Sequence, residues 1–198
     1  MNETDENLML AVRNGDVGKL GVLFDRHHRS LFDFFIRMTG RRNVADDLVQ
    51  DVFFRILKYR KTFRDESWFK AWMFHIARNA RVDYYRSRHG EAILEDDHAI
   101  ALQSSSPLPG QELEHEQQAM LLECAMFKLA PDKREVLILS RYQDMKYEHI
   151  AELMGCEVGT VKTRVHRALK DLRDIFFQLS SEKPSCNVKK SGNSLRIM

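Results

Sequence analysis

Residues 147–173 read YEHIAELMGCEVGTVKTRVHRALKDLR, and this stretch predicts two helices joined by a tight turn. Gly155 can take the left-handed backbone conformation that ends the first helix. Ala151 leaves room for the second helix to cross closely. At 100° per residue, one side of the second helix is apolar. It comprises Val161, Val165, Ala168 and Leu172. The pattern favours a helix-turn-helix that runs from Tyr147 to His166.

The opposite side of the second helix carries hydrogen-bond donors suited to base edges and phosphates in a major groove. The side chains that we expect to contact duplex DNA are Lys162, Thr163, Arg164, His166 and Arg167. The alternative is an amphipathic helix that closes a bundle and turns its basic residues to solvent. The short turn with Ala151 and Gly155 favours the DNA-binding helix-turn-helix.

The length and composition favour a globular protein of two small domains. The chain has 198 residues, of which 43% are hydrophobic and 30% charged. No run approaches the roughly 18 to 20 apolar residues that a membrane span needs, so we expect no membrane insertion and a cytoplasmic protein. The three cysteines have no CxxC spacing, which predicts a reducing compartment and no metal site.

Charge alternates along the chain. Residues 60–88 carry eight Lys/Arg and three Asp/Glu, and residues 91–116 carry seven Asp/Glu and no Lys/Arg. Residues 158–173 carry five Lys/Arg and one Asp. Two basic segments separated by an acidic one indicate two nucleic-acid contacts with a connector between them. Solvated helix faces would explain each segment alone, but they explain the alternation less well.

Helical periodicity is widespread and strand signals are nearly absent, so the predicted fold class is all-α. We expect Gly40 to end a helix, Asn43 to cap the next one, a further helix over residues 68–87, and the last helix to end near Phe177. Two small helical domains are predicted, over residues 5–88 and 112–179. A flexible acidic linker is predicted over residues 89–111, and a disordered tail over residues 180–198.

Residues 147–173 strongly resemble region four of bacterial RNA polymerase sigma factors of the sigma-70 family, extracytoplasmic-function (ECF) group. Independently, residues 43–88 resemble region two of the same family; they read NVADDLVQDVFFRILKYRKTFRDESWFKAWMFHIARNARVDYYRSR. The order of the two motifs and the linker between them also match. The resemblance implies a transcription initiation factor that binds core RNA polymerase and directs it to −10 and −35 promoter elements.

The resemblance implies that the helix from Asp47 to Arg60 docks on the clamp coiled coil of the largest polymerase subunit, and that the beta flap is a second contact. The candidate polymerase-binding residues are Asp46, Asp47, Gln50 and Asp51. An alternative exists for the carboxylates, because the helix macrodipole favours Asp near a helix N-terminus whatever its function.

The resemblance also implies that a loop over residues 62–69 captures an unstacked base of the −10 element. The candidate contacts with this strand are Phe63, Phe69, Lys70, Arg78, Asn79, Arg81 and Arg86. Aromatic rings can replace lost base stacking, and cations can hold phosphates. Core packing is the alternative for both phenylalanines. Trp72 and Ile76 are assigned to the core, and Trp68 fits either role.

The sequence contains no catalytic constellation, so we expect no enzymatic activity, no cofactor and no metal. The histidine pair at residues 27–28 is expected at the surface, since adjacent helical residues point apart. The resemblance makes an anti-sigma factor an expected partner, beside core polymerase and promoter DNA. The alternative function is a stand-alone helix-turn-helix regulator that dimerises on a palindrome; the aromatic loop argues against it.

Overall fold

The computed structural model describes residues 3–88 and 112–181, and this part of the chain contains eight α-helices and no strand. The fold class is therefore all-α, as predicted. The helices are α1 (Asp5–Arg13), α2 (Lys19–Thr39), α3 (Arg42–Tyr59), α4 (Phe69–Arg88), α5 (Glu112–Lys128), α6 (Pro131–Leu137), α7 (Tyr147–Met154) and α8 (Val158–Ser181). The predicted linker and all but the first two residues of the predicted tail lie outside the described residues.

The first four helices form one half of the protein around an aromatic core. Phe34 of α2 meets Phe74 of α4 edge to face, with ring centroids 5.2 Å apart. Both rings are fully buried, as is Phe35. Each buried phenylalanine removes a large apolar area from water, and this burial stabilises the packing of the first four helices. Gly40 ends α2 with φ 70°, and its N–H donates to the Ile36 carbonyl at 2.8 Å.

Two predicted helix ends were wrong. α3 begins at Arg42, with Arg41 at the N-cap position and no side-chain cap, so Asn43 lies inside the first turn rather than capping it. α8 continues past Phe177 to Ser181 and takes in the first two residues of the predicted tail. The periodic leucines and phenylalanines of α8 end before its backbone hydrogen bonds do. Because the hydrogen bonds define where a helix ends, the sequence pattern placed the end too early.

The second half contains the predicted helix-turn-helix. Ile150 and Ala151 of α7 are buried, and they face the buried stripe of α8; the stripe comprises Val161, Val165 and Ala168. Gly155 adopts φ 61° and ψ 41° after α7, the predicted left-handed conformation. Upstream, α6 runs into a π-helical turn over Ile138–Tyr142, after which Asp144 has a positive φ of 48°.

The two halves pack against each other. α4 contacts α7, and α2 contacts α5, α6 and the π-helical turn. Buried side chains of both halves belong to one continuous apolar cluster. No local sequence pattern signals this packing, which places the helix-turn-helix beside the predicted −10 loop.

Gly155 provides a test of the turn. An added Cβ would meet no atom within 4 Å at Gly155 or at Gly159, so the two positions differ in backbone conformation rather than in space. Because an L-residue strains the left-handed conformation, Gly155→Ala should lower the free energy of unfolding by about 1 to 2 kcal/mol. Gly159→Ala, inside α8, should raise it by up to about 1 kcal/mol. Urea denaturation measures both; equal effects would contradict the assigned turn.

Candidate nucleic-acid interface

A groove of about 750 Å³ lies between α4 and α7. Its walls come from the end of α3, the loop that precedes α4, the exposed side of α4 and the last turn of α7. The aromatic and polar lining includes Tyr59, Thr62, Ser67, Trp68, Trp72, His75, Asn79, Arg86 and Glu152. The groove therefore gathers much of the predicted −10 region at one place, together with residues of the second half.

Phe63 and Phe69 do not face this groove, and the prediction that their rings stack on bases is wrong. Phe63 is 1% exposed and Phe69 is fully buried. Phe63 packs edge to face on Trp72, with centroids 5.3 Å apart. The loop is fixed from behind, because Arg13 donates to the Phe63 carbonyl at 2.9 Å and the Phe69 N–H donates to Glu6 at 3.2 Å. Both rings are core residues that set the position of the loop.

The aromatic rings that do line the groove include two tryptophans, Trp68 and Trp72. Trp72 is half-buried and lines the groove, so its assignment wholly to the core was also wrong. Trp68 is half-buried too, and it stacks on His149 of α7 with ring centroids 3.8 Å apart and an interplanar angle of 26°. His75 and Asn79 lie on the same wall, with Asn79 Nδ2 3.5 Å from His75 Nδ1. A tryptophan at the end of a polar loop was the sequence signal for this role.

Three of the four predicted phosphate-binding cations are bonded to the second half. Lys70 donates to the Gln143 carbonyl, and burial lowers the pKa of its ammonium group against the opposing effect of Asp144 and Asp5. Arg78 donates to Glu135 at 2.7 Å and to the Leu153 carbonyl at 2.9 Å.

Arg81 completes this set, 3.5 Å from the second carboxylate oxygen of Glu135. Arg86 and Asn79, by contrast, are exposed. The groove therefore has an open end near Arg86 and an end closed by contacts between the halves.

The predicted polymerase-binding residues fall into two groups. Asp46, Asp47 and Gln50 are exposed on α3. Asp51 instead accepts from Arg55 at 2.9 Å, and Arg55 reaches Asp83 of α4 at 2.6 Å. That hydrogen bond lowers the pKa of Asp83. Asp51 thus belongs to a charge cluster that ties α3 to α4.

An exposed aromatic residue, which the sequence analysis missed, lies on the same side of α3. Phe54 is 66% exposed and follows Gln50 by one helical turn. A second groove, of about 610 Å³, lies between α2 and α3 beside Asp46 and Gln50. Its lining includes Phe24, His28, Phe32, Arg42, Asp46 and Gln50. Phe54 could have been found from helical phase alone, because the helix buries Phe53 and Val52 on the other side.

The predicted duplex-reading side chains all lie on the exposed side of α8. Lys162, His166 and Arg167 have no hydrogen bond or ion pair with other residues that the structure describes. The Thr163 hydroxyl donates to the Gly159 carbonyl at 3.0 Å, and Arg164 lies 4.0 Å from the Met154 sulfur. This face can therefore approach a DNA duplex without breaking the contacts between the halves.

Among residues 3–88 and 112–181, no group of three or more His, Cys, Asp or Glu side chains is arranged to hold a metal ion. None of the helices in these ranges has the length and apolarity to cross a bilayer.

His27 is buried and lies 2.6 Å from Asp5, so its predicted surface position was wrong.

Two protein-family models match the parts of the chain that form this interface. Residues 23–91 match Sigma-70 region 2, and residues 119–172 match Sigma-70 region 4. The ECF RNA polymerase sigma factor EcfG of Rhodopseudomonas palustris (strain TIE-1) is 37% identical over 150 residues. The match covers 75% of this chain and 80% of that protein.

Two solved structures have a fold similar to that of this chain. The sigma factor RpoE, in a co-crystal structure with the anti-sigma factor NepR from Bartonella quintana, superimposes with a TM-score of 0.60 at 28% identity. That match covers 82% of this chain and 98% of RpoE. CnrH, in complex with the cytosolic domain of CnrY, superimposes with a TM-score of 0.66 over 90% of this chain and 99% of CnrH. At 23% identity, the likeness to CnrH concerns the fold alone.

Phe69→Ala tests the core assignment of this ring. Because the substitution empties a fully buried site, it should lower the free energy of unfolding by about 3 to 5 kcal/mol. Phe54→Ala is the matched control, since that ring is 66% exposed, and it should change stability by less than about 0.5 kcal/mol. Chemical denaturation provides the measurement. Similar losses of stability in the two variants would contradict the burial of Phe69 in the core.

Proposed function

Because the chain belongs to the ECF group of RNA polymerase sigma factors, which bind core RNA polymerase and promoter DNA to initiate transcription, we propose that its two halves divide promoter recognition. The groove beside α4 captures unstacked bases of the −10 element, and the exposed face of α8 reads the −35 duplex. The protein acts in the cytoplasm, where bacterial transcription takes place. The chemistry of RNA synthesis belongs to the polymerase.

The observation that carries the −10 assignment is the groove that combines aromatic rings with an amide and an exposed cation. Trp68 and Trp72 offer ring faces on which unstacked bases can stack, an interaction worth about 1 to 3 kcal/mol per base. Asn79 can bond to a base edge, and Arg86 lies at the open end within reach of a phosphate. Ser67 and His75 add further polar contacts along the same wall.

The −35 assignment is supported by the arrangement of α8. Its buried stripe packs on α7, so its other side is presented as a rigid surface. Arg167 and Lys162 are the candidates for base edges and phosphates, because their donors bond to no other residue in the described parts of the chain. His166 lies between them on the exposed surface.

Core polymerase contacts α3 through its exposed acidic stripe. Asp46, Asp47 and Gln50 offer charge and amide groups to a basic partner, and Phe54 offers an apolar anchor among them. Interfaces usually concentrate their binding energy in such an aromatic residue with polar surroundings.

The beta flap is the proposed contact of the second half. An anti-sigma factor is a further proposed partner, which the complex of the relative RpoE with NepR supports.

Trp68→Ala and Asn79→Ala test the −10 groove. Loss of the ring or of the amide should weaken capture of the nontemplate strand by about 1 to 3 kcal/mol, because base stacking or one base contact is lost. Permanganate reactivity of −10 thymines in the holoenzyme measures strand opening. Trp68→Phe is the control that keeps an aromatic face, and competition with the wild-type protein verifies that core binding is intact. Reactivity at the wild-type level in both variants would rule out this groove.

Phe54→Ser tests the polymerase contact. We expect it to weaken binding to core polymerase by about 1 to 2 kcal/mol, because the exposed aromatic anchor next to the acidic stripe is removed. Competition with labelled wild-type protein for core polymerase measures the change. Val22→Ser, at a 40% exposed position on α2, is the control and should compete as the wild type does. Equal competition by both variants would place the contact elsewhere.

A further inference from the structure

We propose that α1 is a positioning element for −10 recognition. Its side chains Glu6 and Arg13 fix the two ends of the loop over residues 63–68, here called the capture loop, and thereby hold Trp68 where a base can stack on it. This inference rests on the proposed function of the groove and adds residues that set its shape. The match to Sigma-70 region 2 begins at residue 23, so α1 lies before the matched residues.

Two side chains of α1 reach the capture loop, one at each end. Arg13 Nη1 donates to the Phe63 carbonyl at 2.9 Å and to the Asp65 carboxylate. Glu6 Oε1 accepts from the Phe69 N–H at 3.2 Å, directly after the loop. Because the first N–H groups of a helix have no partner within that helix, the Glu6 carboxylate also caps α4. A single helix therefore fixes the start and the end of the loop.

α1 can act as a fixed support because it is packed into the first half. Its side chains Leu8, Met9 and Val12 are buried. Glu6 and Arg13 are seven residues apart. That separation is about two helical turns, which places both side chains on one side of α1, roughly 10 Å apart along its axis. The helix, rather than the loop itself, therefore sets the distance between the two contacts.

The contacts of Arg13 matter more for the position of the loop than for the stability of the fold. The Asp65 side chain is 70% exposed, and an ion pair with so exposed a partner contributes little to stability. Ser67 and Trp68 of the capture loop line the groove. A loop that must become ordered when a base binds loses conformational entropy, and a loop that is already held avoids this loss. Removal of Arg13 should consequently impair base capture.

The test uses holoenzyme assembled with the full chain and a promoter fork whose nontemplate −10 strand is single-stranded. An abasic site is placed at each −10 position in turn, and the position with the largest loss of wild-type affinity marks the captured base. The ratio of the affinities for the intact and the abasic fork is the base discrimination. We expect it to be at least about fivefold for the wild type, because the stacking of one base is removed.

Arg13→Ala should bind the intact fork at least about fivefold more weakly than the wild type, and its base discrimination should fall towards one, because the stacking is already lost. Arg13→Lys keeps a charged donor and should restore most of the discrimination. Glu6→Ala should behave as Arg13→Ala does. Glu6→Gln should resemble the wild type, since its amide oxygen can still accept from the Phe69 N–H.

Lys19→Ala is the matched control. It removes a surface ion pair with Glu3, 2.9 Å long, that does not touch the capture loop, and it should keep the full base discrimination. Competition for core polymerase and urea denaturation verify that each variant binds the polymerase and folds. If Arg13→Ala does not fold, Glu6→Ala and its Gln counterpart decide.

Weaker binding with unchanged base discrimination in Arg13→Ala and Glu6→Ala would show a merely structural role and overturn the proposal. Wild-type affinity and discrimination in both variants, together with loss of discrimination in Trp68→Ala, would also overturn it and leave the groove's function standing. Full discrimination in Trp68→Ala would overturn the proposed groove itself.

Discussion

The carboxylate of Glu135 is the point on which the arrangement of the two halves depends. It is 4% exposed, and removing a charge from water is unfavourable unless cations compensate for it. Both cations, Arg78 and Arg81, come from α4 in the other half. α6 therefore cannot bury this residue in isolation without leaving a charge unpaired. The packing of α2 against α5 and α6 adds apolar burial, but the ion pair fixes which surface of α4 faces the second half.

Three cations of α4 are bonded to acceptors of the second half. They are Arg78, Arg81 and Lys70. Burial lowers the pKa of Lys70, so the desolvation of this ammonium group opposes the packing of the two halves, and the hydrogen bond to the Gln143 carbonyl compensates for part of it.

The helices and the helix-turn-helix were predictable because they depend on local patterns. Apolar periodicity gives the buried stripe of α8, and a glycine at the end of α7 gives the turn. The burial of Phe63, Phe69 and His27 was not predictable, because it depends on α1: Arg13, Glu6 and Asp5 contact these segments from 22 to 63 residues away. The role of Glu135 was hidden for the same reason, since its partners lie 57 residues away for Arg78. Sequence pattern identified the region of the groove and two of its polar side chains, Asn79 and Arg86, but it assigned Trp72 to the core and placed Phe63 and Phe69 at the DNA.

The turn after α6 explains how the second half reaches the first. The Gln143 N–H donates to the Ile138 carbonyl at 3.0 Å, five residues back, and the chain then turns at Asp144 with a positive φ. This wide turn directs Gln143 towards α2 and α4, where its amide bonds to Ser30 and its carbonyl accepts from Lys70. In a continued α-helix, that carbonyl would accept from the N–H four residues ahead and could not point at α4 in the same way. Irregular turns of this kind recur at functional sites. Here the backbone geometry supplies a polar contact that no side-chain motif in the sequence encodes.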